Sequence, residues 1–416
     1  MKKSVFVTVL AVVLIAALVT VPSSRPANAQ ALEGQAVPEQ YIVKLAEGIN
    51  SASAARELGR LHALTVHYTY SHAFNGFAAR IPDAQLARLQ ADPRVVSIVA
   101  DRYVQIDAKP TPPPPPGQTL PTGINRVDAE LSATANINGV DDRVNVDVAV
   151  IDTGIDIDHP DLNVVGGYGC VTIGVWDDDN GHGSHVAGTI GAKDNTIGVV
   201  GVAPGARLWA VKVLNKRGSG TWSQIICGID WVTANAATIE VANMSLGGGG
   251  TETGCDDGGM NEAICNAVNA GVTFVVAAGN ESDDAAYHVP AAYDQVITVS
   301  ALADFNGLPG GGAAPTCYSD VDDTMAYFSN YGADVELIAP GGCIYSTYKG
   351  GGYTTMSGTS MASPHVAGGA ALYKATHPSA TPAQVKSALI GTGSTNWNNV
   401  DDPDGIKEPL LNVASY

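Results

Sequence analysis

Five apolar runs after residue 117 set the narrowest limits on the fold, because none of them has a polar face. They are VDVAVIDTG at 146–154, ARLWAVKVL at 206–214, ATIEVANMSL at 237–246, GVTFVVAAGN at 271–280 and DQVITVSAL at 294–302. A strand that is apolar on both sides must be covered on both sides, which is the condition of a parallel sheet flanked by helices. Helical spacing in GSHVAGTIGA (183–192) and TWSQIICGIDWVTANA (221–236) supplies that cover. The expected fold is therefore α/β, with a doubly wound, mostly parallel sheet. Functional groups in such sheets collect at the carboxyl ends of the strands. Asp152, Ser245 and Asn280 close three of these runs.

Upstream the chain is organised differently. The stretch KPTPPPPPG at 109–117 is stiff and extended rather than packed, so residues 108–117 are expected to be a linker. Before it, residues 38–107 alternate a strand (QYIVKL), a helix (SASAARELGRLHAL), two strands (VHYTY, FNGFAARI), a helix opened by Asp83 (DAQLARLQAD) and a strand (VVSIVADRYVQI). This βαββαβ order predicts a small ferredoxin-like α+β module with two helices on one face. Residues 1–29 begin with Lys2 and Lys3, continue as VFVTVLAVVLIAALVTV and end in ANA. That is the pattern of a secretory signal with a small-residue cleavage site. The run is short for a membrane span and no second one follows, which predicts export without a stable membrane anchor. Residues 118–416 are left as the main domain.

Export changes how the cysteines are read. An even number of them, six, in an exported chain favours disulfides. Six cysteines allow 15 pairings, and the sequence does not settle which; the shortest loops would join Cys255 to Cys265 and Cys317 to Cys343, leaving Cys170 with Cys227. No CxxC pair supports zinc. Charge is uneven as well: 11 of the 22 Lys and Arg but only 8 of the 41 Asp and Glu lie in residues 1–117. So acidic a main domain repels nucleic-acid phosphates and suits solubility or cation binding.

The chemistry-bearing residues sit in Gly-rich turns. Asp152 ends an apolar strand, so its carboxylate needs a hydrogen-bonding partner; a plain strand-end turn is the alternative. His182, in DDDNGHGSHVAGTI, is flanked by glycines ahead of a helix, which predicts an exposed imidazole fit to act as a general base. His185 lies three residues on, but His-x-x-His without a third ligand is a weak metal signal. In MSGTSMASPHVAG, Ser357, Ser360 and Ser363 compete. Pro364 lacks an N–H, which a helix start tolerates, and a helix beginning near Ser360 places that serine at the positive end. There its own N–H can face a developing oxyanion. Ser357 precedes the turn and Ser363 lies nearly one turn further in.

The order Asp, His, Ser is one of the known chain orders of a catalytic triad. Over about residues 118–416 the chain resembles the subtilisin-like serine proteases, through VIDTGID, NGHGSHVAG, VANMSLGG, VVAAGN and GTSMASPHVAG in family order. Residues 38–107 resemble that family's inhibitor-like propeptide. The resemblance implies Asp152 as the orienting acid, His182 as the base, Ser360 as the nucleophile and Asn280 as the side-chain donor to the oxyanion. Ser184 stands where the family commonly has Thr and keeps the hydroxyl.

The resemblance also implies two segments that pair with a substrate strand, Gly218, Ser219 and Gly220 on one side and Ser245, Leu246 and Gly247 on the other. Trp222 would line an outer pocket, with a core role as the alternative, and Glu281 and His288 would border the pocket beside the cleaved bond. AKDNTIGVVGVAP resembles the family's calcium loop. It implies a structural Ca²⁺ held by side-chain oxygens of Gln118, Asp161 and Asn195 and by carbonyls of Lys193, Ile197 and Val199, six oxygens that suit this ion. Gln118 in that position implies a mature chain that starts at or before it. The acidic turns WDDDN (176–180) and DDPDGIKEP (401–409) are expected to be solvated rather than cation-binding.

The resulting expectation is a secreted, calcium-stabilised, monomeric endopeptidase. It would act on polypeptides and be restrained by its own propeptide, whose end near VQIDAKP would lie in the cleft until removed. The alternatives are a catalytically inactive peptide-binding relative, an ester hydrolase and a structural exported protein. An ester hydrolase would want a GxSxG elbow, which does not surround Ser360.

Overall fold

Strand β1 (Ala36–Leu45) opens a computed structural model that describes residues 34–106 and 117–416. The expected signal segment and all but the last residue of the expected linker lie outside the described residues. Helix α1 (Ser51–His62), strands β2 (Thr65–Tyr70) and β3 (Gly76–Arg80), helix α2 (Asp83–Gln90) and strand β4 (Val95–Gln105) follow in the expected order. Asn50 caps α1 by accepting from the Ser53 N–H, and Ala63 ends it in the left-handed conformation. In α2, Asp83 is the first helical residue and Pro82 the cap, so the acid sits inside the first turn.

The four strands pair antiparallel in the order β2-β3-β1-β4. Because side chains alternate along a strand, each face has its own destination. Val43, Phe77 and Ala79 pack with Leu58 of α1 and Leu89 of α2 in a small core. Ile42, Tyr70, Ala78 and Val104 face the other way and join a core of the main domain.

That domain is built on β5 (Asp147–Asp152), β6 (Val164–Gly169), β7 (Arg207–Lys212), β8 (Ser219–Thr221) and β9 (Val241–Met244), then β10 (Thr273–Ala277), β11 (Ile297–Ala303), β12 (Thr324–Met325) and β13 (Leu337–Pro340). Seven of these follow one another as β12-β11-β10-β9-β5-β7-β6, with β13 also on β11, and every pairing but that of β12 is parallel. All residues of β5, β9, β10 and β11 are buried, as their two-sided apolarity requires.

Helices α3 (His182–Gly191), α6 (Thr359–Thr376) and α7 (Pro382–Thr392) cover one face; α4 (Trp222–Ala234) and α5 (Met260–Asn269) cover the other. The chain is thus doubly wound. Its order reverses around β5, and the crevice at the carboxyl ends there is where a ligand is expected.

Strand β8 is not in the main sheet. It pairs antiparallel with β4, as the fifth strand of the N-terminal sheet, with Tyr103 opposite Thr221, Val104 opposite Gly220 and Gln105 opposite Ser219. The three disulfides are Cys170–Cys227, Cys255–Cys265 and Cys317–Cys343, the pairing with the shortest loops. Cys170–Cys227 ties the end of β6 to α4 across 57 positions of sequence. Closing a loop of that length in the unfolded chain contributes about 4 kcal/mol in the chain-entropy model. Replacing both cysteines with serine should lower the guanidinium midpoint accordingly, while leaving the fold intact by far-ultraviolet circular dichroism.

Candidate active site

Asp152 is the last residue of β5 and is fully buried. Its Oδ1 accepts from the Thr153 N–H at 2.6 Å, and the carboxylate meets His182 Nδ1 at 2.8 and 3.0 Å. A carboxylate only accepts, so Nδ1 carries the proton and Nε2 is left with its lone pair. That Nε2 is buried and without a partner. His182 opens α3, and several bonds fix the helix start. Asp178 accepts from Thr153 Oγ1, from the N–H groups of Asn180, Gly181 and Ser184, and from Ser184 Oγ. Gly183 leaves no room for a side chain, since a Cβ would lie 2.0 Å from the Gly154 carbonyl oxygen.

The exposed imidazole expected at His182 is not found; it is fully buried. Gly181, just before it, is covered by a distant hairpin (Ile344–Tyr348 with Gly352–Met356). Tyr348 donates to the Asn180 carbonyl and stands where a Gly181 Cβ would be. His185 is a core histidine bonded through one nitrogen, its Nδ1 being buried without a partner. Its Nε2 faces the carbonyls of Ile344 and Thr354 at 3.0 and 3.2 Å, and burial, then the neighbouring His182, push it down to about 3.

Ser360 is the second residue of α6. Pro364 sits deeper than expected, at the sixth helical position and past the turn whose N–H groups are unpaired anyway. The absent N–H is the one that would have bonded the Ser360 carbonyl four residues back. Ser245 Oγ donates to that freed carbonyl at 2.8 Å. Asn243 Nδ2 donates to Ser245 Oγ at 2.9 Å and Ser363 Oγ to Asn243 Oδ1 at 2.6 Å. This buried chain of bonds joins the end of β9 to the start of α6. Sequence reasoning missed Asn243 and gave Ser363 no part; a polar residue inside an apolar strand was the available signal.

Ser360 Oγ itself donates to the Ser245 carbonyl at 3.2 Å and makes no hydrogen bond to His182. Asn280 lies beyond the end of β10, with Oδ1 accepting from the Thr359 N–H at 2.8 Å and from Thr359 Oγ1 at 3.1 Å. The amide nitrogen is therefore the end left to donate. Thr359, also missed, acts on Asn280 from the residue before the serine.

Beside Ser360 is a pocket lined by Leu246, Gly247, Ala277, Asn280, Glu281 and His288. Gln105 and Ile106 of the N-terminal module line it as well. His288 stands between two carboxylates, 3.5 Å from Glu281 and 3.6 Å from Asp283. Gln105 bridges to Gly247, and the Ile106 N–H donates to the Gly218 carbonyl at 3.0 Å. A Cβ at Gly218, whose φ is +73°, would press on Ile106. Trp222 begins α4 with the Arg102 guanidinium of β4 5.6 Å from its ring centre.

The residues expected around calcium also converge. Gln118 Nε2 donates to the Lys193 and Val199 carbonyls at 2.8 and 3.3 Å, and Asn195 Nδ2 to Asp161 Oδ1 at 2.7 Å. The Val199 N–H reaches Asp161 Oδ2, and the Ile197 N–H reaches Asn195 Oδ1. Burial raises the Asp161 carboxyl above its usual range. Two amide nitrogens stand where a cation would want oxygens, and turning both amides over presents six oxygens, so the residues fit Ca²⁺.

The acidic turns differ from expectation. In 176–180, Asp178 is buried as the anchor already described and Asp179 pairs with Lys212 at 2.6 Å. In 401–409, Asp402 and Glu408 are buried rather than solvated.

Residues 144–406 match the model of the subtilase family, and residues 40–107 match that of peptidase inhibitor I9. Subtilisin DY of Bacillus licheniformis is 41% identical over 302 residues, covering 72% of this chain and 98% of its own. An extracellular serine proteinase of a Thermus species is 40% identical over 351 residues, covering 83% and 77%. A crystal structure of a cold-adapted subtilisin-like serine proteinase superposes with a TM-score of 0.56 at 36% identity, over 70% of this chain and 97% of that one.

The depressed His185 sets an acid limit on stability. Below about pH 6.5 the unfolded chain takes up a proton that the folded imidazole refuses until about pH 3. Stability conferred by the neutral ring is complete above that window and is lost as the pH falls through it. In urea titrations His185→Gln should flatten this loss, by about 1.4 kcal/mol for each pH unit between those limits.

Proposed function

The chain belongs to the subtilase family and is a serine endopeptidase with an inhibitor-type N-terminal domain, and from that premise we propose that Asp152, His182 and Ser360 are its triad. The observation that carries the reading is the hydrogen bond of His182 to Asp152 at the end of β5. It is supported by Ser360 and Asn280, which line one pocket and are joined through Thr359.

In the proposed cycle Ser360 Oγ turns from the Ser245 carbonyl to His182 Nε2, gives up its proton and attacks a peptide carbonyl. Asp152 holds the tautomer and stabilises the imidazolium. The Asn280 amide and the Ser360 N–H receive the oxyanion, and His182 then protonates the leaving amine. Water, deprotonated by the same imidazole, releases the acyl-enzyme.

We further propose that the substrate takes the place held by β4, between 218–220 and 245–247, pairing through its backbone. Tyr103–Ile106 would then be the leading end of an inhibitor that the enzyme cuts from itself, with domains at 38–107 and 118–416 joined by the proline-rich linker. Export fits the basic, apolar and small-residue pattern of residues 1–29, and one relative is named an extracellular proteinase. Among the described residues no helix is long and apolar enough to cross a membrane. Structural Ca²⁺ would be held by Gln118, Asp161, Lys193, Asn195, Ile197 and Val199, tying residue 118 to the loop that follows α3.

Casein cleavage, with mass spectrometry of the N-terminus, tests the assignment. The parent should process itself and cut casein, and Ser360→Ala should do neither. Asn280→Ala should lower kcat by about 10²–10³ with little change in KM. Cleavage by Ser360→Ala would overturn the nucleophile. A folded parent inert in Ca²⁺ would point to a peptide-binding relative.

Inhibition has its own test. Asp230 of α4 accepts from the N–H groups of Ser71, His72 and Ala73 at 3.0, 2.6 and 2.6 Å. Asp101 of β4 accepts from the Ser223 N–H and Oγ at the start of the same helix. Asp230→Ala strands three N–H groups and should shorten the lag before activity appears by roughly tenfold or more.

A further inference from the structure

The C-terminal loop, residues 399–409, is pinned at both ends. The Asn398 N–H donates to the Asp323 carbonyl at 2.8 Å, and Leu410 exchanges backbone bonds with Ser394. Between the pins, Asp402 is 9% exposed and Glu408 2%, yet none of their four carboxylate oxygens has a hydrogen-bond partner. No ion pair among the described residues includes Asp402, Asp404 or Glu408. Lys407, the one basic side chain in the loop, is turned onto the Trp397 ring, 5.5 Å from its centre. Such a pair is not a resting place for two anions: stripping carboxylates of water without a partner costs several kcal/mol.

Two remedies exist, a proton or a cation. Burial, then the charges of Asp402 and Asp404, push Glu408 up to about 8, and burial, then Asp404, pushes Asp402 up to about 6. The donors are all oxygens, with no nitrogen or sulfur ligand beside them, and oxygen-only sets on a flexible loop suit Ca²⁺ over zinc and over the stricter octahedron of Mg²⁺. Among the described residues no three acidic, His or Cys side chains already stand as a ligand set. The third carboxylate, Asp404, is exposed at the loop's edge and must swing inward.

We propose that Asp402, Glu408 and Asp404, with carbonyls of their loop, form a Ca²⁺ site separate from the one around Asp161. Binding would convert the two unpartnered acids into the clasp of the C-terminal loop. It would also stiffen the segment that carries Trp397, whose Nε1 donates to the Glu408 carbonyl at 2.8 Å. This proposal stands independently of the triad.

The test uses the full chain carrying Ser360→Ala and Asp161→Asn, stripped of metal. Tb³⁺ should bind with emission excited through Trp397, Ca²⁺ should displace it, and Ca²⁺ at a hundredfold excess over its Kd should raise Tm by about 5 °C. Asp402→Asn and Glu408→Gln should abolish both responses. Trp397→Phe should lose the emission and keep the Ca²⁺ shift. Asp404→Asn, a surface change that folding tolerates, should weaken Ca²⁺ about tenfold. In chelator Glu408→Gln should melt at or above its parent, because an unpaired acid has gone. The idea is overturned if the Ca²⁺ shift survives in Glu408→Gln and Asp404→Asn, or if Glu408→Gln is the more stable protein with and without Ca²⁺; the pair would then be protonated acids.

Discussion

A charged group at the end of a fully buried strand organises everything around it. Asp152 is fully buried, and the energetic answer to its isolation is the His182 Nδ1–H together with the Thr153 N–H. For the imidazole to arrive there, α3 must begin beside β5. That start is held by Asp178, whose two oxygens collect five donors. The second anchor, Lys212, reaches from β7 to the Thr153 carbonyl and to Asp179. The orientation of one ring thus rests on a layer of acids that never touch substrate, as preorganisation requires.

The serine is placed by a different device. A proline four residues downstream deletes a helical hydrogen bond, and the bared carbonyl becomes the point by which Ser245, and behind it Asn243 and Ser363, hold the first turn of α6. A mid-helix proline is ordinarily a cost of about 3 kcal/mol. Here the carbonyl it exposes is satisfied from the neighbouring strand, so the helix continues to Thr376.

Five strands of the sheet were legible because they are apolar on both faces, whereas β6, which is partly exposed, and the short β12 and β13 were not. Each small N-terminal element was legible from alternation or helical spacing, and the disulfide pairing matched the shortest loops. Burial was harder to read. His182 looked exposed from its glycine neighbours, but Gly181 beside it is covered by Tyr348, more than a hundred residues away. Asp402 and Glu408 looked solvated for a similar reason: Asp-Gly turns usually face water, and nothing local announces that a loop folds back against Trp397. The supporting residues Asn243, Thr359 and Asp178 carry no motif of their own, since their work is done through partners distant in sequence.

One strand, β4, sits where the backbone of β8 and the edge at Gly247 leave a gap of one chain's width. Such a slot fixes spacing and polarity before it consults any side chain. On the proposed mode of substrate binding, a change to Gly218 or Gly247 made to admit a new sequence would also disturb the inhibitor, whose Ile106 and Gln105 meet those glycines. If substrate enters as proposed, selectivity and self-restraint share a single groove, and natural variation can tune one only by retuning the other.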